Sequence, residues 1–186
     1  MPARSHTTSA NTIFSDDEGT FIERHRVARL ATADAHGTPH VIPIVYARVG
    51  DRLYFVVDDK PKRTRTGLKR LRNIAENPRV AVIIDDYDED WTRLGYLLVH
   101  GHAEPVADHT EYASVLARLR ERYVQYRSMA LTFDSHPMVR IVAYRCHLWR
   151  AANREPEIGD RGPTSGSARR AGDTPAARRP PRQTAR

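Results

Sequence analysis

Apolar runs rich in Val, Ile and Tyr, separated by short polar turns, dominate the first part of the chain and predict strands over Val27 to Ala33, His40 to Val49 and Leu53 to Asp58. His36-Gly37-Thr38 turns the chain between the first two. Gly50-Asp51 joins the second pair, with the glycine that a two-residue hairpin loop needs for a positive φ. Strands are predicted again over Val80 to Asp85, Leu94 to Val106 and Val139 to Arg150. The period changes in three places. Ser15 with Glu18 three residues on has the form of a capping box opening a short helix that Phe21 and Ile22 anchor. Between Thr64 and Glu76, Leu68, Leu71 and Ile74 recur at helical spacing among Lys69, Arg70 and Arg72, and Asn77-Pro78 stops the helix. Asp108, with Glu111 completing a second box, opens a longer helix whose apolar stripe is Tyr112, Val115, Leu116, Leu119 and Tyr123.

Six β segments joined mostly by turns, with helices inserted, predict a mainly β, antiparallel barrel rather than a doubly wound sheet. The longest uncharged apolar runs, Val41 to Ala47 and Val80 to Ile84, are far shorter than the ~20 residues a membrane helix needs. The polar start lacks the order of a secretory signal and Cys146 is the single cysteine, so a cytoplasmic protein without disulfides is expected. Residues 1–14 read as a mobile start, 15–150 as the folded domain, and 151–186 as a disordered tail whose one large aliphatic residue, Ile158, cannot offset the entropy of ordering it.

The formal charge of +7 raises the question of nucleic acid. Eight arginines against four acids lie from Ala151 onward, so more than half the excess sits in the tail. The domain itself shows no aromatic-plus-basic strip or recognition helix, and specific nucleic-acid binding is not expected. Neither a Gly-x-Gly-x-x-Gly turn nor a Gly-x-x-x-x-Gly-Lys loop occurs, which removes Rossmann and P-loop phosphate sites. Seven basic residues between Lys60 and Arg72 fit two readings on chemistry alone: a site for a phosphate, or the solvated face of an amphipathic helix. His100 and His102 share one face of a strand but have no third ligand nearby in sequence, the acidic run Asp85 to Asp90 lacks calcium-loop spacing, and Cys146 reads as core filler.

The order of these elements and several local strings resemble the pyridoxamine 5′-phosphate oxidase-like split barrels, in the branch that binds the deazaflavin coenzyme F420. The strings are Arg29-Leu30-Ala31-Thr32 through Gly37-Thr38-Pro39-His40-Val41-Ile42-Pro43, then Asp58-Asp59-Lys60-Pro61-Lys62-Arg63. Leu68 through Ile74, Asn77-Pro78-Arg79-Val80, Asp90-Trp91 and Gly101-His102-Ala103 continue them. The resemblance covers roughly residues 15 to 150 and implies a six-stranded antiparallel FMN-binding split barrel, acting as a homodimer with cofactors in grooves between the subunits. It implies that Lys60, Lys62 and Arg63 hold the cofactor phosphate, with Lys69, Arg70 and Asn73 nearby. It places Pro43 and Ile44 against the ring, Asp58 at its polar edge and Trp91 on the groove wall from the partner. The Arg-x-Val-Leu-Leu-Lys-type string of true pyridoxamine 5′-phosphate oxidases has no counterpart here, so vitamin B6 oxidation is not expected, and Thr64 to Leu68 is extra length relative to shorter members.

The implied function is an oxidoreductase using coenzyme F420, or alternatively FMN, on a small organic substrate; a non-catalytic binder of the same cofactors is the other reading. Hydride chemistry belongs to the cofactor, so no dedicated catalytic residue is required, with Tyr46, Tyr87 or a histidine as candidates for proton donation.

Overall fold

The computed structural model describes residues 12–58 and 68–151, all within the unit Met1–Arg154. Seven strands form one sheet in the order β2-β1-β5-β6-β7-β4-β3, with every pair antiparallel. They are β1 (Ala28–Ala33), β2 (Pro39–Ile44), β3 (Ala47–Val49), β4 (Arg52–Val56), β5 (Arg79–Asp86), β6 (Gly95–Pro105) and β7 (Met138–Arg150). The helices are α1 (Asp16–Arg24), α2 (Lys69–Glu76) and α3 (His109–Arg122).

Closure follows from this order. β2 and β3 are the two edges of the sheet, yet only Val45 and Tyr46 connect them. Three peptide steps reach about 10 Å. The edges must therefore lie side by side, which curls the sheet into a barrel left split between β2 and β3.

The seventh strand corrects the six read from the sequence, because the run His40 to Val49 breaks at Tyr46. The backbone N–H of Tyr46 donates to the Tyr123 hydroxyl at 3.1 Å, and that hydroxyl lies 2.8 Å from the Tyr46 carbonyl. A side chain 77 residues away thus takes the N–H, and lies against the carbonyl, that would have continued the ladder. The hairpin β3–β4 turns at Gly50, whose φ of 59° is left-handed as its position requires.

The capping box at Ser15 is formed, with the Glu18 N–H donating to Ser15 Oγ and the Glu18 carboxylate accepting from the Ser15 N–H at 2.8 Å. Phe21 and Ile22 of α1 enter the barrel core with Leu30, Val82, Leu97 and Ile141. A second core joins the α3 stripe, Tyr112, Val115, Leu116 and Leu119, to Tyr54, Val56 and Met138. Residues 13 and 14, read as part of a mobile start, are seated instead. Phe14 is buried, and Asp51 Oδ1 accepts from the N–H of Ile13 at 3.0 Å. The other sequence readings of the start and tail, and residues 64–67 of the second predicted helix, fall outside the described residues.

Glu111 departs from the box expected at α3. Asp108 does cap the helix, accepting from the Glu111 N–H at 2.7 Å, but the Glu111 carboxylate accepts from Tyr54 Oη at 2.7 Å and from Arg140 at 2.8 Å. Burial alone would raise its pKa, and these hydrogen bonds outweigh burial and hold it below the ordinary 4.5. Asp86 is likewise held below 3.8, burial being outweighed by His25, 2.6 Å away, and Arg24. Such carboxylates stabilise the fold fully above their unfolded pKa, and the contribution drains as pH falls through the folded value. Melting temperature is expected to fall as pH drops below 4.5, with a shallower slope in Glu111→Gln. An identical acid slope in the variant would remove Glu111 from this account.

β6 and β7 shift register between His100 and Gly101. There the backbones come so close that a Cβ on Gly101 would stand 2.6 Å from Ile141 Cγ2 and 2.8 Å from the Val142 carbonyl oxygen. Gly101→Ala should cost about 2 kcal/mol, within the range for overpacking, and lower the melting temperature by roughly 4 to 8 °C. An unchanged melting temperature would show that the ladder opens here without strain.

Candidate functional site

A cavity of about 250 Å³ lies between β2 and β4. β2 and its exit supply Ile42, Pro43, Ile44 and Val45; β4 and its exit supply Phe55, Val56 and Asp58. Arg70 enters from the first turn of α2, and Tyr126 from the short 3-10 turn Val124–Arg127 after α3. Pro43 is tolerated because β2 is an edge strand, where a missing N–H breaks no inner ladder.

Three polar side chains, Asp58, Arg70 and Tyr126, join the apolar ones around this space. Asp58 is 8% exposed, and Tyr126 Oη donates to its Oδ2 at 3.0 Å. Burial raises the Tyr126 pKa and the Asp58 charge adds to the effect, so this hydroxyl keeps its proton. Arg70 is half-buried, and its Nε has no hydrogen-bond partner among the described residues. Burial lowers the Arg70 pKa, opposed by Asp58, although a guanidinium stays charged at neutral pH. The Nε–H is sealed from solvent, so it is the accessible part of the half-buried guanidinium that an anionic or carbonyl oxygen in the cavity would meet.

Four of the residues singled out from sequence, Pro43, Ile44, Asp58 and Arg70, are thus brought together. Lys69 opens α2, half-buried, but does not line the cavity; its charge acts on Asp34. Asn73 is committed elsewhere: it is 2% exposed and its amide donates to Thr32 Oγ1 at 3.0 Å, tying α2 to β1. Trp91 lies in the 3-10 turn Trp91–Arg93 and is 71% exposed. Lys60, Lys62 and Arg63 lie outside the described residues. Of the proton-donor candidates, Tyr46 is fully buried with its hydroxyl on the carbonyls of Ile22 and His25, and Tyr87 is exposed. His100 and His102 pack beside Tyr144, with ring centroids 6.4 and 4.9 Å away. Cys146 Sγ donates to the Ile13 carbonyl at 3.0 Å, and burial together with Glu18 pushes the thiol up to about 12.

The lining residues not anticipated from sequence are Ile42, Val45, Phe55, Val56 and Tyr126. Ile42, Phe55 and Val56 belong to strands and Val45 to the crossing between β2 and β3, and the curl of the sheet decides what they face. Tyr126 had no local signal, because its partner Asp58 is 68 residues distant.

Among known proteins, the chain is 30% identical over 92 residues to the 5a,11a-dehydrotetracycline/5a,11a-dehydrooxytetracycline reductase of Streptomyces rimosus, a match covering 49% of this chain and 63% of that one. The fold is similar to that of a conserved hypothetical protein of Mycobacterium tuberculosis, at TM-score 0.58 and 23% identity over 82% of this chain and 96% of that one. An FAD-binding protein of Mesorhizobium loti aligns at TM-score 0.53 and 23% identity, over 72% of this chain and 92% of its own. The sequence profile of pyridoxamine 5′-phosphate oxidase matches residues 15–151, well over half of the chain. With the split barrel and its strand order, that match assigns the protein: it belongs to the pyridoxamine 5′-phosphate oxidase family.

Proposed function

We propose that this protein is a cytoplasmic, homodimeric oxidoreductase that binds coenzyme F420, with FMN as the alternative, in the cavity between β2 and β4. The observation that carries the reading is the convergence of Pro43, Ile44, Asp58 and the half-buried guanidinium of Arg70 on one space. Ile42, Pro43 and Ile44 offer a ring an apolar wall, while Arg70 and Asp58 give its polar edge a donor and an acceptor. When bound, the reduced deazaflavin supplies a hydride to an unsaturated or quinone-like molecule, which takes up a proton from water.

The resemblance to a dehydrotetracycline reductase supports reduction as the direction, and the FAD-binding relative supports a flavin as the alternative. For the dimer, the support is the outer face of the sheet, where Val41 and Ile83 stand exposed on β2 and β5. Among the described residues no helix is long and apolar enough to cross a membrane. Lys60, Lys62 and Arg63 are proposed for the phosphate, Lys69 for a neighbouring anionic group, and Trp91 for the partner's groove.

Titrating the protein separately with coenzyme F420 and with FMN, followed by fluorescence, tests the reading. Saturable binding of the deazaflavin with weaker binding of FMN is expected, and the reverse order selects the flavin. Binding of neither sinks it, and tight binding without reoxidation by any screened acceptor leaves a cofactor-holding protein. A monomer by light scattering with cofactor present would remove the dimer.

A further inference from the structure

A second, larger cavity of about 700 Å³ adjoins the first, and the two share Val45 and Tyr126 as a common wall. Apolar side chains form its body, Val27, Val45, Val124 and Met129, and Val27 and Val124 stand exposed. Its charged lining is three arginines against Glu121. The arginines are not equivalent. Arg122 is spent: Nη1 binds the Glu23 carboxylate at 2.8 Å, Nη2 the carbonyls of Ile22 and His25, and Nε the Tyr123 hydroxyl at 3.1 Å.

Arg26 and Arg127 are different. Arg26 donates to the Arg122 carbonyl and Arg127 Nε to the Arg120 carbonyl at 3.1 Å, and neither meets a carboxylate among the described residues. Glu121 does not neutralise them, because it pairs with Arg118 at 3.6 Å. A guanidinium carries five N–H donors, so each of these two keeps most of its donors and its full charge. Bare apolar surface beside two uncompensated cations complements a molecule with a flat apolar body and an anionic oxygen.

We propose that this cavity is the substrate site: it takes an aromatic or polycyclic molecule carrying a carboxylate, enolate or phenolate, whose body lies on Val27, Val45, Val124 and Met129 and whose anionic group meets Arg26 and Arg127. The inference rests on the adjoining cavity being the cofactor site. Val45 and Tyr126 line both cavities, so a molecule here and one there lie against the same two side chains.

The test uses the full chain and two probes of nearly the same aromatic body: anionic 8-anilinonaphthalene-1-sulfonate and neutral N-phenyl-1-naphthylamine. Saturable fluorescence is expected from the sulfonate. The double substitution Arg26→Ala and Arg127→Ala should weaken its binding about tenfold or more, the scale of charge-assisted hydrogen bonds, and leave the neutral probe and the cofactor affinities unchanged. Both arginines also hold carbonyls near the end of α3, so a second variant, Val124→Glu, puts a carboxylate on the apolar wall without touching those bonds. It should repel the sulfonate to a similar degree. Arg70→Ala should leave sulfonate binding unaltered, keeping the two cavities distinct. Sulfonate affinity within about twofold of the parent in both cavity variants overturns the proposal, as does equal loss of the neutral probe. If the sulfonate responds as expected but neither cofactor binds, the anion site stands and the cofactor reading falls. If the cofactor binds and the sulfonate is indifferent, this inference alone falls.

Discussion

Replacing Arg70 with alanine is expected to weaken cofactor binding about ten- to a hundredfold, the equivalent of roughly 1.5 to 3 kcal/mol for a hydrogen bond to a charged group. Among the described residues, Arg70 is the one basic side chain that lines the cavity between β2 and β4, and its guanidinium is half-buried. Burial already disfavours its charge, opposed by Asp58, so an acceptor supplied by a ligand recovers what desolvation costs. The substitution removes no Nε hydrogen bond from the folded protein, and melting temperature should move little. Arg118→Ala is the matching control: Arg118 is exposed on α3 and, among the described residues, pairs only with Glu121, three residues along the same helix. Such surface pairs contribute under about 1 kcal/mol. Equal losses of affinity in both variants would mean that general positive charge attracts the cofactor. An affinity within about twofold of the parent for Arg70→Ala would show that the cavity is not where it binds.

Arg70 also marks the boundary of what the sequence made legible. Features set by neighbours along the chain were readable: the Ser15–Glu18 box, the turn at Gly50, and the stripe Tyr112 to Leu119 that α3 buries. That Pro43, Ile44, Asp58 and Arg70 belong together came from the family resemblance, and the fold supplies the reason. The two sheet edges meet at the split, and α2 sets Arg70 over the gap. Features set by distant partners were not readable. Glu111 has the spacing of a capping residue, but Arg140 and Tyr54 approach from β7 and β4 and take its carboxylate. Asn73 lies among cationic residues of a basic helix, but its side chain faces inward, where Thr32 is the acceptor it meets. Tyr126 follows α3 in a polar stretch, and only the fold brings it to Asp58.

Tyr123→Phe is expected to have the largest effect on stability. The phenol sits where the chain crosses from one sheet edge to the other, and its single oxygen serves several groups at once. It accepts from the Tyr46 N–H and from Arg122 Nε, each at 3.1 Å, and lies 2.8 Å from the carbonyls of Tyr46 and Arg26, to one of which it donates. Tyr46 is fully buried, so water cannot replace a lost partner without opening the barrel. Each buried polar group left unpaired costs about 1 to 3 kcal/mol, and with the Tyr46 N–H and one of the two carbonyls stranded together the loss should reach about 3 kcal/mol or more. For a chain of this size that lowers the melting temperature by roughly 6 to 12 °C. The ring itself remains, so lost packing does not contribute. The appropriate comparison is Tyr96→Phe, whose ring stacks on Trp149 at 5.5 Å on the outer face, away from the crossing. That variant should melt within about 2 °C of the parent, in keeping with surface substitutions. If Tyr123→Phe melts no lower than Tyr96→Phe, the hydroxyl does not close the barrel, and the break in the strand at Tyr46 needs another cause.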